Sequence, residues 1–208
     1  MSKYTYILDA GHGGIVNGKY ATAGKRSPKF PDGSVLYEGV NNREIVAMLI
    51  KSFEDNDINY YDCVASELDI DLPTRVARAN AIAKKKPCIY ISIHSDANGN
   101  GKEWDVASGI SLFTGKGQTK SDIFAEFVIN ELQDNFKSDV KWRTELADKD
   151  KDKEENFYVL NKTVCPAILG EFGFHTNLEE ATKMKTIKWK NKIVLSIVYA
   201  IKKFELKN

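Results

Sequence analysis

Two histidines and a glutamate close apolar runs in this chain: Tyr6-Ile7-Leu8-Asp9-Ala10-Gly11-His12, Cys88-Ile89-Tyr90-Ile91-Ser92-Ile93-His94 and Pro166-Ala167-Ile168-Leu169-Gly170-Glu171. Imidazole and carboxylate are the groups from which catalytic zinc centres are built, with three protein ligands and one position left for water. His12 and His94, two of only three histidines present, are the natural nitrogen donors. A third donor must come from Glu38, or from His175 in the turn after Glu171. The carboxylate left at Glu171 would then act as general base toward an activated water. Singly, each has a plainer reading. His12 after Gly11 would be a turn residue, His94 a core histidine, and Glu38 a carboxylate favoured at a helix N-terminus by the macrodipole. Glu171 resists that treatment, because a carboxylate in so apolar a run costs free energy unless paired or metal-bound.

Alternating elements would bring these residues together. Short β-branched runs bounded by Gly, Pro and Asn read as buried parallel strands, and open α/β sheets bind ligands beyond the carboxyl ends of such strands. Strands are expected over residues 4–9, 59–64, 88–94, 109–114, 158–160 and 167–171. Helices are expected over 41–56, 72–86, 121–136 and 187–204, with Ser121 as an N-cap. The fold class is therefore α/β: a single domain over residues 1–208, with a mostly parallel twisted sheet and helices on both faces. Residues 13–37 break the alternation and form a long loop beside His12, a position that favours function.

Composition excludes several classes. Thirty Lys and Arg against 29 Asp and Glu leave no general attraction to nucleic acid or an anionic membrane. Cys63, Cys88 and Cys165 are odd in number and widely spaced, which reads as reduced core thiols. No apolar stretch reaches the roughly twenty residues of a membrane span, and no signal peptide fits before the first strand. Synthesis in the cytoplasm is thus expected. The sign-alternating run at residues 148–155 reads as a solvated loop.

The combination of Asp9-Ala10-Gly11-His12-Gly13-Gly14, Glu38 with Asn42, Leu72-Pro73-Thr74-Arg75-Val76-Ala77-Arg78-Ala79-Asn80, Ile91-Ser92-Ile93-His94-Ser95-Asp96-Ala97 and Glu171-Phe172-Gly173-Phe174-His175-Thr176-Asn177 resembles the zinc-dependent N-acetylmuramoyl-L-alanine amidases of the type 3 catalytic class. The resemblance implies a Zn2+ hydrolase that cuts the amide between the muramic acid lactyl group and the first L-alanine of the peptidoglycan stem. It implies His12, Glu38 and His94 as zinc ligands and Glu171 as the catalytic carboxylate. Arg75 matches the family's arginine before Ala-Asn. His175 stands where the family commonly has an apolar or small residue. Lys19, Lys25, Arg26 and Lys29 of the long loop suit the carboxylates of stem peptides. Arg75 is given a structural or electrostatic part, and Arg26, Arg75 and His175 are the candidate substrate-binding residues. The expected partner is peptidoglycan muramyl peptide, met by a monomer at the cell wall after release or export by a route the sequence does not give. A phage-type lysin or an exported host enzyme would both fit. A zinc peptidase acting within the stem, or a noncatalytic wall-binding module on the same fold, are the alternatives.

Overall fold

The structure, a computed structural model, describes residues 2–145 and 150–207. In chain order it contains β1 (Thr5–Ala10), a small hairpin of β2 (Ile15–Val16) and β3 (Lys19–Tyr20), α1 (Glu38–Glu54), β4 (Tyr60–Asp62), α2 (Leu72–Ala83), β5 (Cys88–Asp96) and β6 (Ile110–Thr114). There follow α3 (Lys120–Phe136), β7 (Lys153–Glu154), α4 (Tyr158–Lys162), β8 (Ala167–Phe174), α5 (Leu178–Met184) and α6 (Ile187–Lys207). Six strands form one sheet in the order β4-β1-β5-β8-β6-β7. The first four run parallel, whereas β6 is antiparallel to β8.

Side chains alternate across a strand, and here the alternation sorts the chain into two cores. Tyr6, Leu8 and Ala10 of β1 and Ile89, Ile91 and Ile93 of β5 belong to the larger core. It is closed by α1, α3 and α6, whose buried residues recur at helical spacing, as in Ile45, Val46, Leu49 and Phe53 of α1. Ile7, Cys88, Tyr90, Ala167 and Leu169 face the other way, into a smaller core that Val76 and Ala79 of α2 and Val159 and Leu160 of α4 cover. The smaller-core face continues past its last apolar residues into Asp9, Ser92, His94 and Glu171. Register then aligns them: Asp9 pairs with Ser92 and His94 with Glu171. The polar residues therefore meet at the carboxyl edge of the parallel strands.

Several expectations need adjustment. Residues 158–160 are helical in α4, where the Leu160 and Asn161 N–H groups donate to the Phe157 carbonyl; so short an apolar run carries no period that separates strand from helix. The N-cap of α3 is Thr119, which forms a capping box with Asp122, and Ser121 instead accepts from the Ala167 N–H at 3.0 Å. Helix α5, capped by Asn177, stands where no helix was expected. The charged run is not wholly solvated: Asp152 is buried, while residues 148 and 149 lie outside the described residues. The cysteines are all free thiols.

Candidate metal centre and cleft

His12 leaves β1 with a backbone φ of 64°, a left-handed conformation that costs a non-glycine residue about 1 kcal/mol. Arg75 holds it there. From α2, the buried guanidinium donates through Nη1 to the Asp9 carboxylate at 2.5 Å and the Ala10 carbonyl at 2.7 Å, and through Nη2 to the His12 carbonyl at 3.1 Å. Burial pushes the Asp9 carboxyl up, but Arg75 and a hydrogen bond from Ser92 outweigh it and leave the group below its ordinary value.

Glu38 opens α1 and is buried between the two histidines. Its Oε1 lies 3.2 Å from His94 Nδ1 and accepts from the Ser95 N–H at 3.2 Å. Its Oε2 lies 3.3 Å from His12 Nε2 yet has no hydrogen-bond partner. Gly39 permits this placement, since a Cβ there would run into the Gly13 backbone. The His12 and His94 rings stand 5.0 Å apart and nearly perpendicular, at 85°. One donor atom from each of His12, Glu38 and His94 falls within 4.8 Å of the others. A buried carboxylate oxygen close to an imidazole nitrogen but not aligned to bond it suits ligands arranged about a common centre. The two-nitrogen, one-carboxylate set fits zinc. Burial raises the Glu38 carboxyl, but the adjacent His12 and His94 hold it well below the usual range.

Glu171 stands beside His94 on β8. Its Oε2 is buried without a hydrogen-bond partner. Burial, with the charges of Glu38 and Asp96 adding to it and His94 opposing, pushes its carboxyl up to about 8. It shares a cavity of about 620 Å³ with His12, Glu38 and His94. Phe157, Tyr158 and Val159, at the start of α4, line the same cavity.

The remaining candidates are placed unequally. His175 is buried yet lines the same cavity: its Nδ1 is 3.0 Å from Ser95 Oγ and 3.9 Å from Glu38 Oε2. Burial lowers its pKa. Arg75 lines the cavity, although its nitrogens are committed to Asp9 and the backbone. Arg26 is not among the cavity's lining residues; its Nη1 donates to the Ser27 carbonyl at 3.3 Å, and the loop cation at the cavity is Lys25. Sequence reasoning passed over Ser95, which holds Glu38 through its N–H and contacts His175 through its hydroxyl. It also passed over the Arg143–Asp96 pair at 2.5 Å, because nothing near Arg143 in the sequence ties it to β5.

An α/β sheet whose carboxyl edge gathers a His–Glu–His donor set and a separate carboxylate in one cavity is suited to hydrolysis of a carbonyl compound. The sequence profile of the N-acetylmuramoyl-L-alanine amidases matches residues 7–203, and the chain belongs to that family. A solved N-acetylmuramoyl-L-alanine amidase from Clostridium difficile 630 superimposes with a TM-score of 0.78 at 26% identity, over 98% of this chain and 97% of that one. The fold is shared with the N-acetylmuramyl-L-alanine amidase Ami1 of Mycobacterium smegmatis, at a TM-score of 0.76 and 17% identity over 100% and 99% of the two chains. A Bacillus anthracis protein described as an uncharacterized cell wall amidase is 27% identical over 209 residues, covering 95% of this chain and 34% of that protein.

Proposed function

We propose that the chain is a zinc-dependent amidase that hydrolyses the bond between the lactyl group of N-acetylmuramic acid and the first L-alanine of the bacterial peptidoglycan stem, with residues 1–208 as its catalytic unit. The observation that carries this reading is the convergence of His12, Glu38 and His94 donor atoms within 4.8 Å of one another, in the cavity that also holds Glu171. His12, Glu38 and His94 would hold the metal. Zinc, when bound, supplies a positive charge that polarises the scissile carbonyl, acidifies a water and draws down the raised Glu171 carboxyl. Glu171 takes the proton of the attacking water and returns it to the departing alanine nitrogen, which leaves as an amine. Glu38 is fixed for its task by the Ser95 N–H, and Arg75 fixes the backbone of His12. We assign a monomer as the acting unit.

Among the described residues no helix is long and apolar enough to cross a membrane. The work site we assign is the cell wall, reached by release or export.

The test is product analysis of purified peptidoglycan. The expected digest releases new L-alanine amino termini and no new reducing sugar ends. Chelation abolishes it and zinc restores it, while Glu171→Gln retains zinc and loses ~10²- to 10⁴-fold in rate. New amino termini belonging only to other residues would move the cut into the stem peptide, as for a zinc peptidase. A chain that binds peptidoglycan without cleaving it would be a wall-binding module.

A further inference from the structure

A second group of carboxylates lies outside the cleft, on the other side of β6. Asp122 sits in the first turn of α3, and Asp150 and Asp152 lead into the edge strand β7. Carboxylate oxygens from the three lie within 4.8 Å of one another. Asp122 and Asp152 are 4% and 1% exposed, so neither charge is left to bulk water. Buried charges of one sign need a compensating partner.

Among the described residues, the contacts to the two buried carboxylates are few. The Thr114 hydroxyl is 2.6 Å from Asp152 Oδ2 and 3.1 Å from Asp122 Oδ1, and its single proton serves only one of them. Asp122 Oδ2 is occupied by the capping box, accepting from the Thr119 N–H at 2.5 Å and hydroxyl at 2.9 Å. Asp150 Oδ2 accepts from Gln118 Nε2 at 2.6 Å. Both lysines that flank Asp152 turn away. Lys151 donates to Asn130 and Gln133 at 2.7 and 3.1 Å, and Lys153 lies over the Phe113 ring at 5.9 Å. Asp152 Oδ1 is then buried with no hydrogen-bond partner. That oxygen points to a ligand independently of the clustering itself. The strain is also electrostatic: burial, with Asp150 and Asp122 adding to it against the Thr114 bond, pushes the Asp152 carboxyl up to about 6.

We propose that Asp122, Asp150 and Asp152 form a second metal site, separate from the cleft, that takes Ca2+. An all-oxygen set without His or Cys selects a hard cation over zinc. Mg2+ dehydrates reluctantly and keeps several waters, which suits exposed carboxylates better than two buried ones. Ca2+ accepts irregular sets of six to eight oxygens. A water could bond Asp152 Oδ1 but would bring no positive charge to the buried Asp122 and Asp152 carboxylates. Bound Ca2+ ties α3 to β7 and so anchors the chain that runs from β7 to Phe157, Tyr158 and Val159 in the cleft wall.

The experiment uses the full-length, zinc-loaded protein, stripped of other divalent ions and held above pH 7 at constant ionic strength. CaCl2 is added in calorimetric titration and thermal melts, with MgCl2 as the comparison. Wild type is expected to bind one Ca2+ outside the zinc site and to melt about 5 °C higher at a hundredfold excess over Kd. Amide exchange across residues 150–160 should slow. Asp152→Asn removes a charge from the repelling group, so it should fold and melt no lower than calcium-free wild type while losing the Ca2+ response and keeping its zinc. Asp150→Asn, at the more exposed corner, should weaken Ca2+ binding by about tenfold or more, the 1.4 kcal/mol that a lost ligand readily costs. A wild type that does not respond to Ca2+, or an Asp152→Asn variant that responds as wild type does, overturns the site. An equal response to Mg2+ overturns its assignment to Ca2+.

Discussion

Gly11 lies directly beneath the imidazole of His94, so close that a methyl group on its Cα would overlap the ring. The contact explains why the chain carries glycine between Ala10 and His12: one strand end must pass under the His94 ring presented by its neighbour. Gly11→Ala is therefore expected to push the His94 ring out of place without unfolding the sheet. Zinc affinity should fall by ~10- to 100-fold, the usual cost of disturbing a ligand's support, with far-UV circular dichroism unchanged. Zinc content and affinity equal to wild type would show that the contact with Gly11 does not position His94.

Arg75 gives a prediction about stability. Its partner Asp9 is buried, and removing one member of a buried ion pair typically costs about 3–5 kcal/mol, so Arg75→Ala should show that loss in urea denaturation. The pH dependence should also change sign. In wild type the folded Asp9 carboxyl lies below its unfolded value, so its stabilisation is present above about pH 4 and is lost as pH falls through the folded value. Without Arg75, burial dominates and the folded value rises above the unfolded one; stability should then fall as pH increases from about 4. A variant whose stability still declines on acidification over that range would show that Arg75 is not what holds Asp9 ionised.

Much of this was legible from residue types. The β-branched runs around Ile7, Ile91 and Ile168 marked three central strands, and polar residues at their ends marked the edge where His94 and Glu171 are neighbours in register. Tertiary information was not legible. Tyr158, Val159 and Leu160 look like a strand in isolation, and only packing of Val159 and Leu160 onto the smaller core makes them a helix. Asp152 is hidden for the opposite reason. Alternating charges normally mean solvent, and nothing local tells that β7 pairs with β6 and carries Asp152 inward. His175 reads as a turn residue past a strand that ends at Glu171, whereas β8 runs on to Phe174, and the approach of His175 to Glu38 depends on that extension and on a register shift between His94 and Asp96 in β5.

We propose Glu38 rather than His175 as the third metal ligand, on its distances to the other two donors. Glu38 oxygens are 3.2 and 3.3 Å from the His94 and His12 nitrogens, whereas His175 contacts Ser95 and stays 3.9 Å from Glu38. Glu38→Ala should strip most of the zinc, measured as metal per chain after dialysis. His175→Ala should keep zinc and lower turnover several-fold by loosening Ser95. The opposite pattern of metal content would exchange the two roles.

Lys25 is the loop cation that borders the cavity, and the stem peptide offers carboxylates for it to meet. The side chain is exposed, so the pair should contribute no more than about 1 kcal/mol, or about a fivefold change in KM. Lys25→Ala should raise KM for stem-bearing muramyl fragments by up to that factor, with kcat and zinc content unchanged, and the difference should shrink at high salt. Arg26→Ala should do less, because Arg26 does not border the cavity and its guanidinium contacts the Ser27 carbonyl. Steady-state kinetics at two ionic strengths check both variants. If Arg26→Ala raises KM more than Lys25→Ala does, substrate approaches over the outer face of the loop; if neither moves it, the loop only covers the site.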